Sequence, residues 1–108
     1  DQVPARGDGV WADFFGRPAY TMTLVGRLVE LTGATVLMAA AVRLAHGAGY
    51  SIRVSEFGAV SSGEGGARAL NAAIEQLVKL EPSQYLWSYN RYKVPAGAMP
   101  PEGRDADA

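Results

Sequence analysis

The first helical pattern in the sequence lies in its N-terminal third. Apolar residues recur there at helical spacing, at Leu24, Val25, Leu28, Val29 and Leu31. Pro18 suits the first turn of a helix, where its missing N–H costs nothing, and Gly33 supplies a C-terminal stop. We therefore predict a helix over residues 18–32. The preceding residues 1–17 are predicted to form a loop that contains a short apolar segment.

The second helical pattern is the clearer one. Its apolar face consists of Leu70, Ala73, Ile74, Leu77 and Val78. The pattern predicts a helix over residues 67–80, preceded by a Gly/Ser-rich loop at 58–66. Glu81 should end the helix, because a residue before a proline avoids the helical region.

Two strand patterns lie between these helices. Residues 34–42 form an almost uninterrupted apolar run, which is typical of a strand buried on both faces, with a buried helix as the alternative. Residues 50–55 alternate between apolar and polar positions, as a half-exposed strand does. Because the turn-rich stretch 46–49 separates them, we predict an antiparallel hairpin of 35–45 with 50–57.

These elements indicate an α/β fold with a partial mixed sheet flanked by two main helices. They contain too few strands to close a sheet, so we expect the chain to be part of something larger. The start at Asp1, without an initiator Met or an apolar leader, leads to the same expectation. Residues 1–97 form the folded part in this interpretation, and disorder is predicted for the Pro/Gly-rich and then charged tail at 98–108.

Composition narrows the function classes. Hydrophobic residues make up 48% of the chain, enough for a core, whereas charged residues make up only 19%. The low charged share indicates that some apolar surface is covered by more chain, a partner or a membrane. The net charge of -1 argues against nucleic-acid binding. The absence of cysteine excludes disulfides, thiolate metal sites and a catalytic thiol.

The single histidine, His46, is a poor candidate for chemistry. It lies in the predicted turn, and Ser51 stands where an orienting carboxylate would be needed for a His-x4-Asp/Glu pair. Neither a Gly-rich phosphate loop nor a G-x-S-x-G element is present. We therefore predict that His46 is solvated and that the chain holds no metal.

The aromatic and basic stretch at 84–93 is the most unusual part of the sequence. Tyr85, Leu86, Trp87 and Tyr89 are expected to pack the chain end onto the helix at 67–80. The cations Arg91 and Lys93 beside these aromatics suit either an anionic phosphate or a membrane surface.

Three segments carry a family resemblance. The first is the Asp1-Gln2 pair, and the second is Phe14-Phe15-Gly16 followed by Ala19 and Thr21. The third is Pro82-x-Gln84-Tyr85-Leu86-Trp87, which runs into Arg91-Tyr92-Lys93, Pro95 and Gly97. Together, over residues 1–97, they resemble the C-terminal portion of the bacterial lipid A biosynthesis lauroyl/myristoyl acyltransferases, within the lysophospholipid acyltransferase superfamily. Many members carry His where this chain has Ser88 or Tyr89, so no role is assigned to these two positions.

The resemblance implies an enzyme at the cytoplasmic face of the bacterial inner membrane, with a larger glycerol-phosphate-acyltransferase-like α/β fold. Such enzymes move a fatty acyl group from acyl carrier protein, or from acyl-coenzyme A, onto a hydroxyl of a lipid A precursor, without a metal or redox cofactor. Their base belongs to a His-x4-Asp/Glu pair that lies upstream and is absent here. We therefore expect this chain to be inactive alone.

The resemblance also indicates substrate-binding residues. Asp1 and Gln2 would lie near a strand end, although capping would explain them equally well. Phe14 and Phe15 would line an acyl-chain groove, with core packing as the alternative. The cations expected to contact the lipid phosphate or the carrier's phosphopantetheine are Arg43, Arg91 and Lys93, and Arg43 has snorkelling as its structural alternative.

Two other functions stay open at this point. The first is a stable non-catalytic module that binds an anionic lipid or a protein partner through Trp87, Arg91 and Lys93. The second is a related transferase that acts on another glycolipid, such as a mannosylated phosphoinositide. In each case, exposed apolar surface and an open strand edge predict self-association of the isolated chain.

Overall fold

The computed structural model describes residues 1–58 and 61–101. Its elements in chain order are β1 (Gly9–Phe14), β2 (Arg17–Met22), α1 (Leu24–Thr32), β3 (Val36–Arg43), β4 (Tyr50–Phe57) and α2 (Gly63–Leu80), with short 3-10 turns at Ala45–Gly47 and Pro82–Gln84. The α/β class is confirmed. In the described residues, however, the strands form two separate antiparallel pairs, β1–β2 and β3–β4, and not one mixed sheet.

The prediction of a loop over residues 1–17 was wrong, because β1 and β2 form a hairpin. Phe14 pairs with Arg17 across a two-residue turn. Both turn residues have positive φ, 49° at Phe15 and 75° at Gly16. This left-handed turn matches the natural twist of paired strands, and only its second residue is a glycine.

The predicted helix start at Pro18 was also wrong. Pro18 lies in β2 opposite Asp13, and helix α1 begins only at Leu24. Because Phe14 and Arg17 flank the turn as a hydrogen-bonded pair, the nitrogen of Pro18 points to the outer edge of the sheet, where no N–H is needed. The predicted end is confirmed: Gly33 has φ 67° and donates its N–H to Val29 O at 2.8 Å.

The predicted hairpin of 35–45 with 50–57 is confirmed, with β3 and β4 in register from Val36 opposite Phe57 to Arg43 opposite Tyr50. The expectation that this first strand is buried on both faces was wrong. One face packs toward α2, while the other is open to solvent over the described residues. The exposed apolar side chains of that face are Leu37, Ala39, Ala41, Tyr50, Ile52 and Val54.

Helix α2 is the element around which the rest packs. It begins at Gly63, one turn before the predicted start, and ends at Leu80 before Pro82, as predicted. It lies against β1 and, at its C-terminal half, against β3. The buried apolar residues are Val3, Ala12, Phe14, Ala19, Tyr20, Val42, Ala67 and Val78.

The chain after α2 returns along the β1–β2 hairpin. Trp11 donates its indole N–H to the carbonyl of Met99 at 2.7 Å, and Pro101 is buried. Residues 98–101 therefore have defined contacts, although we expected disorder from residue 98. The rest of the predicted tail, residues 102–108, lies outside the described residues.

Candidate active-site wall

Arg91 is the centre of a buried polar network. Its side chain is only 4% exposed, and Nε donates to Asp1 Oδ1 at 2.8 Å. Nη1 donates to the carbonyl of Tyr20 at 2.8 Å, and Nη2 donates to Thr21 Oγ1 at 3.0 Å and Asn71 Oδ1 at 3.3 Å. Each guanidinium nitrogen thus has a protein acceptor. The residue predicted to bind a phosphate is instead occupied inside the protein.

Neighbouring side chains complete this set, which we call the Arg91 network: Asp1, Thr21, Asn71, Tyr85 and Arg91. The second oxygen of Asp1 accepts from the Tyr85 hydroxyl at 2.5 Å. Asn71 is fully buried and donates to Thr21 Oγ1 at 2.9 Å, while Thr21 donates to the carbonyl of Ala19 at 2.9 Å. Among the described residues, no buried side-chain nitrogen or oxygen lacks a partner. Buried polar groups satisfied in this way hold one arrangement firmly.

Burial sets the protonation behaviour of the network. It lowers the pKa of the Arg91 guanidinium below its ordinary value. Burial raises the pKa of the Tyr85 hydroxyl, and the positive charge of Arg91 offsets part of this rise. A raised pKa keeps the phenol protonated at neutral pH, as its hydrogen bond to the Asp1 carboxylate requires.

An aromatic cluster adjoins the network. Phe14 is 1% exposed and lies between Phe15, Tyr85 and Tyr92, with ring centroids 4.7, 6.2 and 6.3 Å away. The chain end was predicted to pack onto α2. In the structure, Tyr85 and Trp87 contact Phe14 and Phe15 at the β1–β2 turn. Leu86 and Trp87 stay 67% and 57% exposed.

The predicted acyl-groove residues differ in accessibility. Phe14 belongs to the core, which matches the structural alternative given for it. Phe15 is half-buried and contacts Trp87 at 5.9 Å. Its N–H donates to Glu75 Oε1 at 2.6 Å, which fastens the turn to α2. Only Phe15 of the pair therefore presents surface to a ligand.

Two grooves meet beside Asp1. The first, which we call the Gln2 groove, has a volume of about 110 Å³, smaller than a site for a drug-sized ligand. Its walls are largely apolar, and the Arg91 network forms its polar side. The residues that line it are Asp1, Gln2, Thr21, Met22, Leu24, Val25, Leu70, Asn71, Ile74 and Arg91.

The second groove runs along β3, and we call it the β3 groove. Its volume is about 200 Å³. It is bordered by residues 39–42 of β3 and by Ile74, Leu77 and Val78 of α2. Asp1 lines both grooves, so the Arg91 network fixes the side chain that stands between them.

The other two predicted cations lie at the surface. Arg43 is exposed, and its backbone N–H and carbonyl are both bound by the side-chain amide of Gln84, at 2.7 and 3.0 Å. Lys93 is exposed, with Nζ 5.6 Å from the Tyr89 ring centroid. Unlike Arg91, both are accessible to an anionic ligand.

His46 lies where the sequence predicted it, in the turn between β3 and β4. It is exposed and has φ 56°. In the described part of the chain, no group of three His, Cys, Asp or Glu residues is placed to hold a metal ion. Within residues 1–58 and 61–101, none of the helices combines the length and the apolar character that a membrane span requires.

Sequence reasoning missed several residues of this site. Asn71 reads as an ordinary polar position on a helix, and only its place opposite Thr21 reveals its role. Gln84 and Thr21 belonged to the quoted segments but received no function. The signal for them was present: the three segments, at residues 1–2, 14–21 and 82–93, converge on the Arg91 network.

Comparison with known proteins identifies the chain's family. The family model for bacterial lipid A biosynthesis acyltransferases matches residues 1–94. The chain belongs to this family. The matched range contains every residue of the Arg91 network and of both grooves. No curated protein matches the chain significantly.

Proposed function

We propose that this chain forms one wall of the active site of an acyltransferase that moves a fatty acyl group from acyl carrier protein to a lipid A precursor. Family membership supports the reaction class. The convergence of the three segments on the Arg91 network is the observation that carries the proposal, because residues up to 90 positions apart meet beside two grooves.

The Arg91 network positions the groups that contact substrate. Arg91 and Tyr85 hold both oxygens of Asp1, so the adjacent Gln2 is kept at the mouth of the Gln2 groove. The apolar walls of this groove suit a hydrocarbon chain, and the exposed amide of Gln2 suits a hydroxyl or carbonyl of the acceptor. This assignment moves the acyl chain away from Phe14, which is buried.

The exposed cations take the anionic parts of the substrates. Arg43 and Lys93 suit the phosphates of the acceptor or the phosphopantetheine of the donor. Arg91 contributes only indirectly in this proposal. The alternative of an anionic-lipid module bound through Trp87, Arg91 and Lys93 is weakened for the same reason, because Arg91 is buried.

The general base of the reaction lies outside this chain in our proposal. The only histidine, His46, is in an exposed turn, and its sequence surroundings offer no orienting carboxylate at the needed spacing. The larger glycerol-phosphate-acyltransferase-like fold would supply a His-x4-Asp/Glu pair, at the cytoplasmic face of the inner membrane. No metal or redox cofactor enters the proposal.

The experiment that tests the proposal is a substrate panel on the intact acyltransferase. Acyl-acyl carrier protein and acyl-coenzyme A would each be offered with a lipid A precursor and with a mannosylated phosphoinositide. We expect the highest kcat/KM for the acyl carrier protein and lipid A precursor combination. A preference for the phosphoinositide, or for no combination at all, would contradict the proposed substrates.

A further inference from the structure

The ladder between β3 and β4 determines which backbone groups of β3 point away from its partner. The N–H of Leu44 donates to the carbonyl of Gly49 at 2.8 Å, so this pair faces inward. Inward and outward pairs alternate in an antiparallel ladder, and Arg43 opposite Tyr50 therefore faces outward. Every second residue of β3 has its N–H and C=O groups on the same side. The other residues with outward groups are therefore Ala41, Ala39 and Leu37.

Gln84 already occupies one position of this outer edge. Its amide accepts from the N–H of Arg43 and donates to the carbonyl of Arg43, at 2.7 and 3.0 Å. A residue of a neighbouring strand would make the same pair of hydrogen bonds. The Gln84 contact therefore agrees with the alternation and closes the edge at its Arg43 end.

The outward groups of Ala39 and Ala41 border the β3 groove. That groove has the apolar side chains of α2 on another side, and Asp1, Gln84 and Tyr85 also line it. Unpaired backbone groups beside apolar side chains cost free energy unless they are covered. A fatty acyl chain cannot cover them, because it has no donor or acceptor, whereas a β-strand satisfies them in order.

We propose that a further β-strand of the same enzyme, from outside this chain, occupies the β3 groove and pairs with Leu37, Ala39 and Ala41. The inference rests on the proposed function, since it takes the chain as part of a longer acyltransferase. A strand in this groove has its apolar side on Ile74, Leu77 and Val78 and ends beside Asp1, where the Arg91 network begins. The β3–β4 pair thereby becomes part of a sheet of at least three strands.

Residue-resolved amide hydrogen exchange tests this directly, with this chain and the intact enzyme measured side by side. The N–H groups of Ala39 and Ala41 are expected to exchange at least ~100-fold more slowly in the intact enzyme, because the added strand protects them. The matched controls are Ala40 and Val42, whose N–H groups face β4 and should be protected in both proteins. Equal exchange of Ala39 and Ala41 in the two proteins would overturn the proposal.

One variant and a concentration series distinguish this strand from a second copy of the chain. Ala39→Pro removes an outward N–H and leaves the inward ladder to β4 without a lost donor. In the intact enzyme it should abolish the extra protection of Ala41. The Ala41 N–H of this chain alone could instead become protected as the chain's concentration rises. If that protection equals the protection in the intact enzyme, the edge belongs to a second copy and the proposal is overturned. Hydrogen exchange does not depend on catalytic turnover. An intact enzyme that is protected at Ala41 but inactive on lipid A precursor would therefore contradict the proposed function and leave the added strand supported.

Discussion

Arg91 shows how one charged residue can join distant parts of a sequence. Its donors reach the start of the chain, strand β2 and helix α2, and its guanidinium carbon lies 5.6 Å from the Phe14 ring centroid. Removing one partner of a buried ion pair leaves the other charge without compensation, which costs more than the pair itself contributes.

Replacing Arg91 should therefore destabilise the fold strongly. We expect Arg91→Ala to lower the free energy of unfolding by about 3–5 kcal/mol, because Asp1 and Asn71 lose their donor. Lys93→Ala, at an exposed position two residues later, should change it by no more than about 0.5 kcal/mol. Urea denaturation of the three proteins measures both values. Similar stability of the two variants would contradict the buried role of Arg91.

The Tyr85 hydroxyl predicts a loss of stability in alkali. Its pKa in the folded chain is raised above the ordinary value of 10.0, so the folded state holds the proton more tightly than the unfolded state. The resulting stabilisation is complete below pH 10 and declines as the pH rises further. Tyr85→Phe should lose about 1 kcal/mol at pH 8 and progressively less toward pH 11.

Denaturation at a series of pH values measures this trend, with the exposed Tyr50→Phe variant as the control. A stability difference between wild type and Tyr85→Phe that grows with pH would contradict the assigned hydrogen bond. Tyr92, whose pKa burial also raises, adds a decline of the same sign in both proteins.

At this scale the sequence singled out Asp1, Tyr85 and Arg91, which the structure brings together in the Arg91 network. The aromatic and basic stretch was recognised as unusual, and Arg91 was assigned to a phosphate because cations beside aromatics suit an anionic ligand. Its burial depends on acceptors from residues 20 and 71, whose proximity no local pattern reveals. Arg43 and Lys93 are exposed, so their charged groups are accessible to a ligand.

At the scale of elements, spacing predicted the parts that follow simple rules. Helix α2 and the β3–β4 hairpin have clear periodicity, and Gly33 and Pro82 mark helix ends. The β1–β2 hairpin escaped prediction because Phe15 occupies a left-handed turn position without the usual Asn-Gly or Asp-Gly signal. Pro18 was then read as a helix start, although an edge strand accommodates proline equally well.

The Gln2 groove gives a prediction at the same scale. Leu70 on α2 lines the groove, whereas its neighbour Ala69 is exposed. Leu70→Trp in the intact enzyme should reduce kcat/KM for its preferred long acyl donor at least ~10-fold, because the larger ring fills the space of the acyl chain. Short acyl donors should lose less. Ala69→Trp should leave both unchanged.

Initial rates with acyl donors of two chain lengths measure this effect. An equal loss for both lengths in Leu70→Trp would place the acyl chain elsewhere. A thermal denaturation curve for each variant shows whether the added volume has also disturbed the packing of α2 against β1.

At the scale of the molecule, the low share of charged residues corresponds to an exposed apolar surface. The outer face of the β3–β4 pair exposes Leu37, Ile52 and Val54 at 58–63%. Large exposed apolar surface on a folded chain marks an interface. Composition predicted that such surface exists, but its position depends on which strands pair, and only the register shows that.

The central claim is that this chain carries the wall of an acyltransferase site and not its base. Acyl transfer from acyl-acyl carrier protein to a lipid A precursor tests it most directly, with this chain and the intact enzyme compared at equal concentration. We predict transfer by the intact enzyme and none by this chain. Transfer by this chain alone would contradict the claim, because its own residues would then have to supply the base.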